Sequence, residues 1–245
     1  MAVEYLKQGS GSPFIYVSGV DGTGKLFYKQ AKDLARDHTV VTFPLRGEGR
    51  YKMERLVEDL AWVVRDAGFE RATFLGESFG GLLVMATALA RPEMFERMIL
   101  VNTFPYFTHR AKIALGVVLF SLLPYPLMKA HRTRAARHVL FSSDVSDEDR
   151  RLFRQHTGVV PFEGYLSRLK IIRETDLRDR LHEIKVPALV VAGTADRLLD
   201  SVGAAKMMAA RLPRARLKLL PGTGHTALLS ERVRVREWLA EFDSF

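Results

Sequence analysis

The sequence predicts an α/β protein built on a doubly wound, mostly parallel sheet. Short apolar runs alternate with segments of helical apolar spacing over most of the chain. Strands that alternate with helices pair in parallel, because each helix returns the chain to the same edge of the sheet. The chain has 245 residues, of which 47% are hydrophobic, so it is long enough for one sizeable core.

Six apolar runs are predicted as the strands of this sheet, in chain order. Each is short and mostly apolar, and is bounded by turn residues or a helical segment. A further antiparallel edge strand is expected around Lys7. The six predicted strands span residues 14–17, 39–43, 72–75, 98–101, 186–192 and 217–220.

Helices are predicted between these strands, where apolar residues recur at three- and four-residue spacing. The segment 53–67 places Leu56 and Leu60 on one face. The segment 79–90 ends at Arg91 because the following proline disfavours a helical conformation in the residue before it. The other predicted helices span residues 26–37, 201–212 and 227–242.

The alternation is interrupted between residues 104 and 182, where several helices and no clear strand are predicted. This stretch includes residues 113–128, which carry no charge and contain Pro124 and Pro126. The run is shorter than the roughly 20 residues that span a bilayer. We therefore predict a core formed by residues 1–103 and 183–245, with an inserted helical cap, or lid, of residues 104–182.

The sequence GESFG at residues 76–80 follows a predicted strand and opens a predicted helix. G-x-S-x-G in that setting is typical of a sharp turn that lifts a serine hydroxyl above the sheet. The N-terminus of the following helix points at the place where negative charge develops in acyl transfer. Ser78 is therefore a candidate nucleophile.

A serine nucleophile requires a base and an acid that orients the base. His225 follows the last predicted strand, whereas the other histidines begin a strand or lie in or beside the basic insertion. Asp196 follows the preceding predicted strand, and Asp200 is a second candidate for the acid. Ser78, Asp196 and His225 would thus all lie at the carboxyl edge of the sheet.

These motifs, in this order along the chain, resemble the α/β-hydrolase superfamily. The resemblance covers nearly all of the chain except the insertion, which falls where that family carries its lid. It implies that Ser78 is the nucleophile, Asp196 the orienting acid and His225 the base. The implied enzyme is a serine hydrolase of the carboxylesterase, lipase or thioesterase type.

The glycine-rich turn SGVDGTG at residues 18–24 stands where the same family places an oxyanion-hole amide. By this resemblance the amides of Val20 and Phe79 form the oxyanion hole. Ser18-Gly19 replaces the family's usual His-Gly pair, so Val20 and Asp21 both remain candidates for the first donor. This turn and GESFGG also resemble the phytyl ester synthase type of hydrolase and acyltransferase.

The resemblance implies cleavage of a small-molecule ester or thioester through an acyl-enzyme, without a metal or an organic cofactor. An acyltransferase that uses the same triad is the alternative within the family. The charge-free run suggests an apolar acyl pocket with Ile113, Leu119 and Leu122 in its lining. Packing within the lid's own core would explain those residues equally well.

Two other classes of protein are compatible with parts of the sequence. GVDGTGK at residues 19–25 fits the phosphate loop of nucleotide kinases, but Leu26 stands where a Ser or Thr should bind Mg²⁺. A non-catalytic binding protein could share the scaffold, although the complete triad argues against one.

The net charge of +9 is concentrated in the insertion, where residues 104–182 hold 14 basic and 8 acidic residues. A solvated basic face, an anionic substrate and a membrane surface would each suit this charge. No nucleic-acid module accompanies it, so nucleic acid is not expected. There is no cysteine, which excludes disulfides and thiol catalysis. The N-terminus lacks an apolar core of signal-peptide length, so we expect a cytoplasmic protein.

Overall fold

A computed structural model describes residues 3–111, 113, 115, 139–157 and 161–244. Within this part of the chain, seven strands form one sheet in the order β1-β3-β2-β4-β5-β6-β7. The strands are β1 (Leu6–Gln8), β2 (Ser12–Val17), β3 (His38–Thr42), β4 (Ala72–Glu77), β5 (Phe95–Val101), β6 (Ala188–Gly193) and β7 (Ala215–Leu220).

The pairing of the strands confirms the predicted mostly parallel sheet. Only β1 is antiparallel in this sheet, pairing with β3 at the edge where a strand was expected around Lys7. The other neighbours pair in parallel, with Val17 opposite Gly76 in β2 and β4. The carboxyl ends of β2, β4, β5, β6 and β7 therefore share one edge of the sheet.

Helices cover the sheet at the predicted places. The predictions for 53–67, 79–90 and 201–212 are confirmed to within one residue, whereas 26–37 is a 3-10 turn followed by a shorter α-helix. The α-helices are α1 (Tyr28–Leu34), α2 (Met53–Asp66), α3 (Phe79–Ala90), α4 (Asp147–Thr157), α5 (Phe162–Glu174), α6 (Ser201–Arg211) and α7 (Val235–Leu239). The 3-10 helices are Lys25–Phe27, Pro92–Met94, Arg178–Glu183, Ala227–Leu229 and Ala240–Ser244.

The hydrophobic core lies on both faces of the sheet. Ile15 and other residues on one face pack with α2, α3 and α6. Phe14 and Tyr16, which point to the opposite face, pack with α1 and α7. Because helices cover both faces, the central strands are buried throughout and appear in the sequence as continuous apolar runs.

The helix predicted over residues 227–242 is wrong. The chain there forms two short 3-10 helices on either side of α7. Gln30 supplies the physical reason, because its side-chain amide donates to the carbonyl oxygens of Leu228 and Val233 at 3.0 and 3.1 Å. It also accepts from the Val235 amide at 3.0 Å. These backbone groups bond to a side chain from α1 instead of to one another in a helix.

Between β5 and β6 the described residues form α4, α5 and the 3-10 helix Arg178–Glu183. Most of the charge-free run 113–128 lies outside the described residues. The division into a core of residues 1–103 and 183–245 and a cap of residues 104–182 stays a prediction. Of the helices in the described ranges, none is long and apolar enough to cross a membrane.

Candidate functional site

Ser78 occupies a sharp turn between β4 and α3. Its backbone has φ 55° and ψ −120°, a left-handed region that is strained for any residue other than glycine. The Ser78 amide donates to the Val101 carbonyl at the end of β5, at 2.9 Å. The turn therefore holds Ser78 at the carboxyl edge of the sheet, as the sequence pattern indicates.

Two glycines allow the strands and the helix to approach each other at this turn. A Cβ on Gly80 would lie 2.1 Å from the carbonyl oxygen of Val17, and one on Gly76 would lie 2.6 Å from the Gly81 amide nitrogen. Neither separation is sterically possible for a side chain. The glycines of G-x-S-x-G are thus required by close packing of β2, β4 and α3.

Ser78, His225 and Asp196 form a continuous hydrogen-bonded chain. The Ser78 Oγ atom lies 3.1 Å from His225 Nε2, and His225 Nδ1 lies 2.7 Å from Asp196 Oδ2. A carboxylate can only accept, so the proton of neutral His225 belongs on Nδ1. Nε2 is then free to accept the proton of the Ser78 hydroxyl. His225 is only 6% exposed, which keeps this contact largely out of water.

The structure brings Asp196, and not Asp200, to the histidine. The second oxygen of Asp196 accepts from the amides of Leu198 and Leu199 at 2.8 and 3.1 Å. Asp200 instead caps the N-terminus of α6, where its side chain accepts from the Gly203 amide at 2.9 Å. Of the two aspartates in the loop after β6, Asp196 therefore contacts the histidine and Asp200 caps a helix.

Asp196 is held in its charged form. Burial by itself would raise the pKa of this carboxyl group, but hydrogen bonds from His225 and Ser201 outweigh it and leave the pKa below its ordinary value. A carboxylate that stays ionised can fix the orientation of the imidazole and stabilise the imidazolium form.

Asn102 is a site residue that the sequence analysis missed. Its side-chain amide donates to the carbonyl oxygens of Gly224 and His225 at 3.0 and 2.8 Å, and its oxygen accepts from the Gly193 amide at 2.7 Å. Asn102 thereby ties the end of β6 to the loop that carries the histidine. Its signal was available, since it is the only asparagine in the chain and directly follows a predicted strand.

The glycine-rich turn lies beside Ser78. The Gly22 amide donates to the Gly19 carbonyl at 3.0 Å, and a Cβ on Gly19 would lie 3.6 Å from the Ser78 Cβ. Phe79 is the first residue of α3, where backbone amides have no partner within the helix. Lys25 is exposed, and a 3-10 helix rather than an α-helix follows the turn, so the turn departs from a phosphate loop. Assignment of Val20 or Asp21 as a donor stays a prediction.

The predicted acyl-pocket residues are only partly described. Ile113 packs, partly buried, against the larger core cluster. Leu119 and Leu122 lie outside the described residues. Arg110, from the basic part of the insertion, donates to the Thr175 carbonyl at 2.8 Å and stacks over the Tyr106 ring. This basic side chain therefore contacts other residues of the insertion.

No group of three or more His, Cys, Asp or Glu side chains that could hold a metal is found among the residues that the structure describes. The expectation that no metal or organic cofactor takes part stays a prediction.

Glu77, the residue before Ser78, is a buried acid that the triad does not use. Its Oε2 atom accepts from the Tyr16 hydroxyl at 3.0 Å. Burial raises the pKa of Glu77 from 4.5 to about 7, although His225 and the Tyr16 hydrogen bond act in the opposite direction. The folded protein therefore binds a proton at Glu77 more tightly than the unfolded chain does.

We expect Glu77→Gln to stabilise the protein more at pH 8 than at pH 5. Between pH 4.5 and about 7 the carboxyl group of Glu77 is protonated more in the folded state than in the unfolded chain. The contribution of Glu77 to the free energy of unfolding therefore falls as the pH rises. Glutamine cannot ionise and keeps an oxygen for Tyr16. The gain should grow by up to about 3 kcal/mol over this range, measured by urea unfolding. Glu70 is exposed, so Glu70→Gln is the control. An equal effect of Glu77→Gln at both pH values would contradict the prediction.

Comparison with known proteins agrees with the fold. The family model described as the alpha/beta hydrolase fold matches residues 12–231. The candidate carbamate hydrolase RutD of Rhizobium rhizogenes is 28% identical over 242 residues, covering 94% of this chain and 91% of its own length. The pimeloyl-[acyl-carrier protein] methyl ester esterase of Nitrosomonas europaea is 29% identical over 198 residues, covering 78% of each chain.

A solved structure supports the fold independently. An esterase from Exiguobacterium antarcticum superposes with a TM-score of 0.87 at 20% identity, covering 99% of this chain and 96% of its own. The family and the names of the relatives support a hydrolase. With nearly the whole length matched by the family model, the chain belongs to the alpha/beta hydrolase family.

Proposed function

We propose that this protein is a serine hydrolase that cleaves a carboxylic ester or thioester through an acyl-enzyme on Ser78. The single observation that carries the proposal is the chain of hydrogen bonds from Ser78 Oγ through His225 to Asp196, at 3.1 and 2.7 Å. This is the arrangement that a serine needs to lose its proton as it attacks a carbonyl.

In the first half of the reaction, the Ser78 oxygen attacks the carbonyl carbon and His225 Nε2 accepts the hydroxyl proton. The bond from the carbonyl carbon to the leaving oxygen or sulfur then breaks, and His225 returns the proton to the leaving group. In the second half, water gives a proton to His225 and its oxygen attacks the acyl carbon. The bond from that carbon to Ser78 Oγ then breaks, the acid leaves, and His225 returns the proton to the Ser78 oxygen. Asp196 holds the imidazole through Nδ1 and stabilises its charged form in both halves.

Negative charge on the carbonyl oxygen requires hydrogen-bond donors in place before the attack. In this proposal the Phe79 amide supplies one donor, and the turn at residues 19–22 supplies the second through Val20 or Asp21. Such donors contribute when they are already oriented in the free enzyme, because no reorganisation is then needed during the reaction.

The relatives favour two kinds of acyl substrate. One is named a methyl ester esterase and the other a candidate carbamate hydrolase. Esters, thioesters and carbamates all present a carbonyl to the same nucleophile, and an acyltransferase would differ only in using an alcohol instead of water in the second half. We place esters and thioesters first because the charge-free run 113–128 is suited to an apolar acyl group.

A substrate panel tests this proposal. We expect p-nitrophenyl esters and acyl thioesters to be hydrolysed, with kcat/KM rising with chain length, while an aryl carbamate is turned over more slowly. Four additional methylenes at about 0.8 kcal/mol each should give a rise of about 10² if the pocket holds them. Ser78→Ala protein, purified in parallel, corrects for contaminating esterases. Faster turnover of the carbamate than of every ester, or a flat chain-length profile, would contradict the substrate assignment.

A further inference from the structure

Arg168 of α5 is a buried cation that the proposed mechanism does not use. It is only 1% exposed, although arginine is rarely found fully inside a protein. A buried charge is tolerated when its polar atoms are hydrogen-bonded. Burial lowers the pKa of Arg168 from its ordinary value, and the nearby Tyr51 and Asp21 act to raise it.

The guanidinium group of Arg168 binds two successive carbonyl oxygens of the glycine-rich turn. Its Nε atom donates to the Val20 oxygen at 2.8 Å, and its Nη2 atom donates to the Asp21 oxygen at 3.3 Å. The donors of a guanidinium have fixed directions in one plane, so together they define the orientation of both peptide groups.

The orientation of these carbonyls also determines where the amides of the turn point. A peptide bond is planar and trans, so its N–H points away from its C=O. Holding the Val20 oxygen therefore directs the Asp21 amide away from Arg168. Holding the Asp21 oxygen does the same for the Gly22 amide, which donates to the Gly19 carbonyl and closes the turn. Val20 lies inside that closed turn, so its own amide is held as well.

The turn is shaped around the arginine. Gly22 has φ +68°, and a Cβ at this position would lie 2.7 Å from Arg168 Cζ. Any other residue would be strained and would displace the guanidinium. The glycine at this position of the phosphate-loop-like pattern therefore has another physical explanation, which is its close contact with the side chain of Arg168.

Arg168 is itself fixed from the opposite side. Its Nη1 atom donates to the Arg46 carbonyl oxygen and to the Tyr51 hydroxyl, both at 2.9 Å. The Tyr51 hydroxyl also lies 2.6 Å from the Arg46 oxygen and 2.9 Å from the Gly164 oxygen. The guanidinium therefore joins the turn, the loop before α2 and the start of α5 into one hydrogen-bonded unit.

We propose that Arg168 is a positioning residue, through which α5 orients the oxyanion-hole amide of the glycine-rich turn toward the reaction centre at Ser78. This inference rests on the proposed function, because it presumes that an oxyanion forms beside the turn. The hydrogen bond to that oxyanion forms fully only in the transition state, so its loss lowers kcat while leaving substrate binding nearly unchanged.

The test compares three variants by steady-state kinetics on one p-nitrophenyl ester. Arg168→Lys keeps the charge but cannot bind both carbonyls, and we expect its kcat to fall about tenfold with an unchanged KM. Arg168→Ala should lose about 10² in kcat, the order found when one oxyanion donor is removed. Added guanidinium ion at millimolar concentration should restore part of this loss by filling the vacated space. Glu163→Ala is the matched control, because Glu163 accepts from the Gly49 amide at 2.9 Å and lies in the same helix.

The readouts separate positioning from stability. Thermal unfolding is measured for every variant. If Arg168→Ala does not fold, the kcat and KM of Arg168→Lys still test the inference. The inference is overturned if Arg168→Lys keeps the wild-type kcat, or if Glu163→Ala shows the same loss of kcat. Restoration of the unfolding temperature by guanidinium without recovery of kcat would also overturn it. Failure of the proposed function would appear differently, as absence of ester turnover in the wild-type protein.

Discussion

Ser78→Ala is expected to lower kcat for ester hydrolysis by on the order of 10⁵-fold or more, as for other serine nucleophiles. The hydroxyl is the only group of this residue that would react, and its hydrogen-bond partner in the site is His225 Nε2. Its removal leaves the glycines and the backbone of the turn in place, so the folded structure and the unfolding temperature should change little. The measurement is the rate at which each protein hydrolyses a p-nitrophenyl ester, with the rate of spontaneous hydrolysis as the detection limit.

A serine outside the site provides the control for this experiment. Ser10 is exposed and precedes β2, so Ser10→Ala should keep the wild-type kcat. Binding and oxyanion donors alone can leave a residual rate of about 10³–10⁴ over water in a serine protease, so a small remaining activity is expected. Wild-type turnover in Ser78→Ala would show that another group attacks the substrate.

Asp196→Asn is expected to lower kcat by on the order of 10³–10⁴. Asn keeps the shape of the side chain but removes the negative charge, which the hydrogen bonds from His225 and Ser201 maintain against burial by lowering the pKa of the acid. An amide can also present its N–H₂ group to His225 Nδ1, which would favour the tautomer that cannot take the serine proton. The kcat on the same ester, together with the unfolding temperature, measures the effect.

Asp200→Asn is the matched control for the acid, because the same change is made four positions away. Asn caps helices about as well as Asp, so the hydrogen bond to the Gly203 amide can be kept. We expect kcat and the unfolding temperature close to the wild-type values. A large loss of kcat in Asp200→Asn with little effect of Asp196→Asn would mean that the acid has been misassigned.

The features that the sequence predicted correctly depend on local patterns. Apolar runs in a sheet covered on both faces are continuous, so the positions of the strands along the chain could be identified. The turn at Ser78 could be recognised from the five residues 76–80 alone. Its two glycines are needed for close packing, and its serine has the backbone conformation of a sharp turn. Ser78, Asp196 and His225 lie close together because each follows a strand of the parallel sheet and these strands end at one edge.

The features that the sequence did not predict depend on contacts between distant segments. The residues after His225 have helical spacing, but Gln30 takes their backbone hydrogen bonds and prevents one long helix. Arg168 gave no signal at all, because one arginine in a basic insertion looks like any other until the fold places it under the glycine-rich turn.

The most direct test of the central claim is to label the protein with a fluorophosphonate and locate the adduct by peptide mass spectrometry. We predict one adduct per chain, on the peptide that contains Ser78, and no adduct in Ser78→Ala. An adduct on a different residue, or no adduct in a preparation that hydrolyses esters, would contradict the assignment of Ser78 as the nucleophile.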